Sequence, residues 1–364
     1  MLKFTPFFLI FLFLQCYANE TKPVRGVWLT NVDSKALNSK EGITEAVSLC
    51  KEFNVNTIYV VAWNKAMTTY PSKILKKLTG VEIDTQMTGR DPLRELIEEA
   101  HASNIKVIAW FEFGFSSSYQ QDGGVLCKLK PGWKSKNSKD TLVTKNGFDW
   151  LNGFNPEVQQ FLLSLIMEVV RNYDVDGIQG DDRLPAMPVE SGYDEYTTQL
   201  YMTQHNGKRP PSDFRDTAWV NWRAGLLNNF MKAIHDSVKN YNSHLIVSMA
   251  PSIYPWSKEE YLQDWPAWVR EGWVDEICPQ LYRYDVKDYN LALKNILNEQ
   301  LSPEDYNKFF PGILLKVGKY IASDSYLMEA VKANRDNNVN GEVYFFYEGL
   351  KVKKDFFNNQ YQDN

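Results

Sequence analysis

The stretch Val175-Asp176-Gly177-Ile178-Gln179-Gly180-Asp181-Asp182-Arg183 reads as a short β-strand that ends on charge. Side chains alternate between the two faces of a strand, so Gln179 and Asp181 share one side and Ile178 takes the other. An apolar Ile178 suits a face covered by helices. Gln179 and Asp181 then point into whatever the sheet encloses. Asp182 lies just past the strand, facing a cleft or capping a loop, and Arg183 is placed to hold a carboxylate ionised.

Working outward, seven further apolar runs rich in β-branched and aromatic residues have the same character. They cover residues 24–32, 56–63, 105–113, 245–251, 274–282, 309–317 and 341–347, and the stretch above (175–181) is fourth among eight. Helical patterns separate them. Asp91-Pro92 and Asn155-Pro156 each offer an N-cap followed by proline at the first helical position. Val158, Phe161, Leu165, Val169 and Tyr173 form a stripe at helical spacing. Eight strands alternating with helices predict an α/β fold, a (β/α)8 or TIM barrel, as one domain over residues 19–364. An open doubly wound sheet would carry a Gly-rich phosphate loop after its first strand, and Asn31-Val32-Asp33-Ser34 is not one. Three connections are long, 64–90, 114–154 and 183–212. Each runs from a strand to a helix, which in a barrel is the top face where sites are built.

The net charge of −5 carries no basic stripe, which argues against a nucleic-acid partner. Aromatic residues make up 14% of the chain, most of them core, and aromatic faces also suit the apolar surfaces of sugars. Lys3 followed by the apolar run Phe7 to Leu14 and then Ala18 reads as a signal peptide over residues 1–18, and hence an exported protein, periplasmic or extracellular. Gln15 before Cys16 fits a lipid-attachment site poorly. The run is too short to span a bilayer, and no later segment reads as transmembrane. After cleavage Cys50, Cys127 and Cys278 remain, an odd number that builds no disulfide framework. Cys50 and Cys278 are expected to be buried, with Cys127 in a loop and free to pair.

Other strands deliver polar groups to the same end. The first gives Asn31 and Asp33, the third Trp110 and Glu112, the sixth Gln280, Tyr282 and Arg283, and the eighth Glu348. A carboxylate at the end of an apolar strand is costly to bury without a use. Two carboxylates are what glycosidic cleavage needs, one protonating the leaving oxygen and one attacking or activating water. No HExxH or HxH pattern, P-loop, dinucleotide fingerprint or G-x-S-x-G elbow occurs, so no cofactor and no metal are expected.

The chain resembles the glycosyl hydrolase-like 10 family, exported bacterial barrels related to the α-amylase-type hydrolases. The likeness runs from Arg25-Gly26-Val27-Trp28-Leu29-Thr30 to Gly341-Glu342-Val343-Tyr344-Phe345. Between them stand Trp63-Asn64-Lys65 with Tyr70-Pro71-Ser72, Ala109-Trp110-Phe111-Glu112, Asn155-Pro156-Glu157-Val158, Asp176-Gly177-Ile178-Gln179-Gly180-Asp181-Asp182 and Pro279-Gln280-Leu281-Tyr282. The resemblance implies endo-type hydrolysis of a polysaccharide, with cell-wall glycan as the first substrate class. In amylase-type barrels the fourth strand carries the nucleophile, and Asp181 matches that place. Many family members have His where Gln179 stands. The amylase-type proton donor comes from the fifth strand, but Ser248-Met249-Ala250-Pro251-Ser252 holds no carboxylate.

The expectation is therefore Asp181 as nucleophile or base, with Asp182, Glu112 or Glu348 as the acid. Trp28, Trp63, Trp110 and Tyr282 are expected to line the sugar cleft. Asn31 and Gln280 would bond hydroxyls, with Asp33, Gln179 and Arg183 also binding substrate. A glycan-binding barrel without hydrolysis and a metal-dependent deacetylase are the rival readings.

Overall fold

The computed structural model describes residues 23–361. Eight parallel strands curl around one axis: β1 (Arg25–Leu29), β2 (Thr57–Val61), β3 (Lys106–Trp110), β4 (Gly177–Asp181), β5 (Ile246–Ala250), β6 (Glu276–Ile277), β7 (Gly312–Leu314) and β8 (Glu342–Phe345). Their order is β6-β5-β4-β3-β2-β1-β8-β7. The two outer strands meet through parallel bridges, Ile277–Phe309 and Gln280–Gly312. A helix follows each strand: α1 (Lys40–Glu52), α2 (Pro92–Ala102), α3 (Pro156–Asn172), α4 (Thr217–Tyr241), α5 (Trp265–Arg270), α6 (Val286–Glu299), α7 (Asp324–Asp336) and α8 (Lys354–Tyr361). The expected barrel is what the chain forms. The N-terminal apolar run and the cleavage point after Ala18 lie outside the described residues.

The helix starts follow from local chemistry. Backbone N–H groups of Arg94, Glu157 and Trp219 donate to the side chains of Asp91, Asn155 and Asp216, closing donors that a helix leaves open. Each such cap contributes about 1 kcal/mol. Strand β6 is far shorter than the expected 274–282, because Pro279 has no N–H for a ladder. The chain beyond it stays beside β7 through the Gln280 bridge.

Inside the ring a polar layer lies among the aromatics, and its members satisfy one another as burial demands. Trp28 Nε1 donates to Gln179 Oε1 at 2.7 Å, Gln179 Nε2 to Ser248 Oγ at 2.9 Å, and Tyr59 Oη to Glu276 Oε2 at 2.8 Å.

The long connections are not structureless. That after β2 folds Trp63–Asn64 against Met67–Thr68, turning on Lys65 and Ala66, both at positive φ. That after β3 carries a three-stranded antiparallel sheet of Ser116–Tyr119, Phe148–Trp150 and Thr144–Lys145. That after β4 is tied to α4 by Arg223, fully buried, which donates to the carbonyls of Val189 (2.5 Å), Ser191 (2.7 Å) and Phe214 (2.6 Å). Burial pulls its pKa down to about 9, so the loop is held by a cation with carbonyls alone as acceptors. Cys50 and Cys278 are buried as expected. Cys127 is not in an open loop: it sits buried in the helix Gly124–Leu129, and burial pushes its thiol up.

Candidate active site

Asp181 closes β4 and faces inward, 3% exposed. Its Oδ1 accepts from Gln280 Nε2 at 2.7 Å and from the backbone N–H of Asp182, also at 2.7 Å. Gln263 Nε2 donates to its carbonyl at 2.9 Å. The residue before it has to be small. A Cβ on Gly180 would stand 2.5 Å from both the Leu184 carbonyl oxygen and Met249 Sδ.

Glu112 comes from the end of β3, two residues beyond the strand. Its Oε2 accepts from Thr30 Oγ1 at 2.9 Å and Asn64 Nδ2 at 2.8 Å. Asn64 also donates to Asn31 Oδ1 at 3.2 Å, and Asn31 Nδ2 lies 3.4 Å from Asp84 Oδ2. The ends of β1, β2 and β3 are thereby linked across the barrel mouth.

Arg183 joins the two acids. Its Nη2 stands 3.6 Å from Asp181 Oδ2 and 3.9 Å from Glu112 Oε1, and its Nη1 stands 3.1 Å from Asp182 Oδ1. Its Nε donates to the Glu112 carbonyl at 3.2 Å, and the guanidinium lies 4.6 Å from the centre of the Phe148 ring. Gly114 makes this packing possible. It adopts φ +51°, and a Cβ there would meet the Arg183 carbonyl oxygen at 2.0 Å.

Each buried acid therefore has one oxygen held by donors and the other turned toward Arg183. Burial pushes the Asp181 carboxyl well above the usual carboxylate range, and the charge of Asp182 adds to the push against the opposing pull of Arg183. Burial likewise raises Glu112, with Arg183 and Thr30 opposing. Carboxylates shifted upward at a cleft mark candidate acid–base groups. A guanidinium already stands among the three acids, where a metal ion would have to balance their charge.

The mouth thus unites Asp181, Asp182, Glu112, Arg183, Gln280 and Asn31 from the expected set. Tyr282, half-buried, packs at a tilt against Phe345 at 5.2 Å and meets Trp28 edge-on at 6.4 Å. Other expectations are corrected. Trp28 and Trp110, 1% and 2% exposed, lie in the floor of the mouth and do not wall an open cleft. The Trp110 Nε1 is buried with no partner. Gln179 is wholly buried and spends both ends of its amide on Trp28 and Ser248, leaving none for a sugar.

Trp63 turns away from the mouth. The chain bends at Ala62, so strand parity no longer holds, and the indole packs edge-on against Phe161 of α3 at 5.8 Å. Asp33 stands exposed at φ 54°. Glu348 accepts from Ser34 Oγ at 2.8 Å and pairs with Lys351 at 3.3 Å, at the β8 side of the rim and without contact to Arg183 or its acids. Thr30, Asn64, Gln263 and Phe148 were not singled out as site residues by sequence. Thr30 and Asn64 had a signal, their places in Arg25-Gly26-Val27-Trp28-Leu29-Thr30 and Trp63-Asn64-Lys65.

Against this geometry, residues 23–306 match the family described as "Glycosyl hydrolase-like 10". The chain is 25% identical over 320 residues to "Glycosyl hydrolase YngK" of Bacillus subtilis (strain 168), spanning 80% of this chain and 60% of that protein. It is 24% identical over 316 residues to "Glycosyl hydrolase DigH" of Escherichia coli (strain K12), spanning 73% and 69%. The chain therefore spans about three fifths of the length of the Bacillus relative. Among solved structures, the PgaB (BpsB) glycoside hydrolase domain from Bordetella bronchiseptica superposes with a TM-score of 0.66 at 12% identity, over 92% of this chain and 97% of that one. The catalytic domain of β-amylase from Paenibacillus polymyxa gives 0.60 at 10% identity, over 93% and 99%. At these identities the likeness to solved structures concerns the fold.

Proposed function

The chain belongs to the glycosyl hydrolase-like 10 family, and on that premise we propose that the barrel mouth hydrolyses glycosidic bonds in a polysaccharide. The observation that carries this reading is the placement of Asp181 Oδ2 and Glu112 Oε1 on one nitrogen of Arg183, at 3.6 and 3.9 Å. The two oxygens are no further apart than those distances together, an upper limit that admits the roughly 5–5.5 Å spacing of retaining glycosidase pairs.

The partners divide the roles. Both donors to Asp181 Oδ1 are N–H groups, which favour the ionised carboxylate. Glu112 Oε2 meets one N–H, from Asn64, where Asp181 Oδ1 meets two, and its other partner is the Thr30 hydroxyl, which can accept as well as donate. Glu112 is the acid that gives its proton to the glycosidic oxygen as the C–O bond breaks. Asp181 Oδ2 meets the anomeric carbon, directly or through a water that it deprotonates. Arg183 keeps one of the two acids ionised while burial keeps the other protonated. Asn31 bonds sugar hydroxyls, and Tyr282 offers an aromatic edge.

Bacterial cell-wall glycan is the substrate class proposed first, and an exported location belongs to the same reading. The rival is a barrel that binds glycan without cutting it, favoured by one observation: β5 sets Ala250 beside Asp181, where amylase-type barrels carry an acid. Incubation with glycan strands stripped of their peptides, and separately with α-glucans, separates the readings by the appearance of new reducing ends. Cleavage unaffected by a chelator is the expected result. Binding without new reducing ends would favour the rival.

A further inference from the structure

The aromatic residues of the top face do not stop at the acids. On the β3 side, Phe148 lies under Arg183 and meets Tyr119 edge-on at 5.2 Å. Tyr119 is 51% exposed. Its ring lies across Gly147, where a Cβ would come within 2.5 Å of it, so the hairpin is shaped to hold the ring flat against its backbone. On the far side, Tyr284 is 67% exposed and meets Tyr320 at 87° and 4.8 Å. Tyr320 belongs to the hairpin Lys316–Val317 and Tyr320–Ile321, whose Val317 and Ile321 are also exposed. Tyr284 follows β6 by way of Tyr282, and the hairpin follows β7. In the strand order β3 and β7 stand four places apart, on opposite sides of the ring.

Single exposed apolar side chains need no explanation, but a contiguous patch does. Here two such groups stand at opposite edges of one mouth, with the acids between them. In an edge-to-face pair each ring keeps at least one face clear of its partner, and the pair holds both rings in place. That is a fitting surface for the apolar C–H face of a sugar ring. At the centre Trp28, Tyr282 and Phe345 pack against one another, and the near group is joined to the acids by the Arg183–Phe148 contact.

We propose that Tyr119 on one side, and Tyr284 braced by Tyr320 on the other, are outlying sugar-binding platforms that hold one polysaccharide chain across the mouth on both sides of the bond to be cut. This rests on the glycosidase reading and adds the outlying residues that hold the chain at that site.

The test uses the full chain carrying Asp181→Asn, so that bound glycan is not consumed, and oligosaccharides of alternating β-1,4-linked N-acetylglucosamine and N-acetylmuramic acid, two and eight sugars long. Calorimetry measures the ratio of the two affinities. Tyr284→Ala and Tyr119→Ala are each expected to reduce the preference for the longer ligand about tenfold, and Tyr284→Trp to keep it. Both positions are exposed, and circular dichroism checks the fold of each variant. A length preference that survives both alanine variants would overturn the platforms and leave the glycosidase reading standing. Parent protein that binds neither these oligomers nor α-glucans would overturn that reading and the platforms with it.

Discussion

Gln280 Nε2 donates to Asp181 Oδ1 at 2.7 Å, so the segment after β6 holds the carboxylate that β4 presents. The same amide nitrogen lies 3.1 Å from the Ala250 carbonyl oxygen, which fixes its direction. A donor to the ionised form opposes the upward push of burial on Asp181. Gln280→Leu removes it, and the Asp181 pKa climbs further. The acid limb of the kcat/KM profile then moves to higher pH, and the maximum falls by about ten- to a hundredfold, the range for losing a hydrogen bond to a charged group. An acid limb that does not move would show that Asp181 is not the group titrating there.

Asp182 acts in the opposite sense. Its charge raises both Asp181 and Glu112. In Asp182→Asn that repulsion is gone, and both acids lose protons at lower pH. The base is then ready earlier and the acid is spent earlier, so both limbs of the bell move down in pH together. A profile that narrows or shifts upward would count against a pair coupled through this neighbour.

Gly114 tests the packing beneath Arg183. At φ +51°, with the Arg183 carbonyl oxygen 2.0 Å from where a Cβ would be, alanine has neither the backbone conformation nor the room. Gly114→Ala should lower stability by about 2 kcal/mol or more. For a domain of this size that is a fall in Tm of about 3 °C or more by calorimetry. Turnover should fall as well, because the guanidinium shifts with its backbone. An unchanged Tm would mean that the loop relaxes at no cost.

Strand alternation carried the reading of the sequence as far as the strands themselves run. It placed Gln179 and Asp181 inward because β4 extends to Asp181 without a break. It failed at Trp63 because the ladder with β3 ends at Val61 and the chain bends at Ala62 before starting a new hairpin. Gln179 was assigned to the sugar because position shows direction but not depth. Its burial depends on Trp28 and Ser248, brought beside it from β1 and β5. Thr30 and Asn64 stand in motifs but are uncharged, so nothing in the sequence ties them to Glu112. Their importance arises only where three strand ends converge on Glu112. The platform of Tyr119 on Gly147 was likewise hidden, since an aromatic count does not distinguish core from rim.

The central claim is that Asp181 takes part in breaking the glycosidic bond. The measurement is release of reducing ends from peptide-stripped glycan strands by the parent protein and by Asp181→Asn, with thermal melting of both. Asp181 has a raised pKa in the folded protein, so its ionised form weakens the fold as pH rises through that value. Asparagine should therefore melt no lower at neutral pH. The account predicts an equal or higher Tm and a rate reduced on the order of a thousandfold or more. A folded Asp181→Asn protein that still releases reducing ends at the parent rate would contradict it.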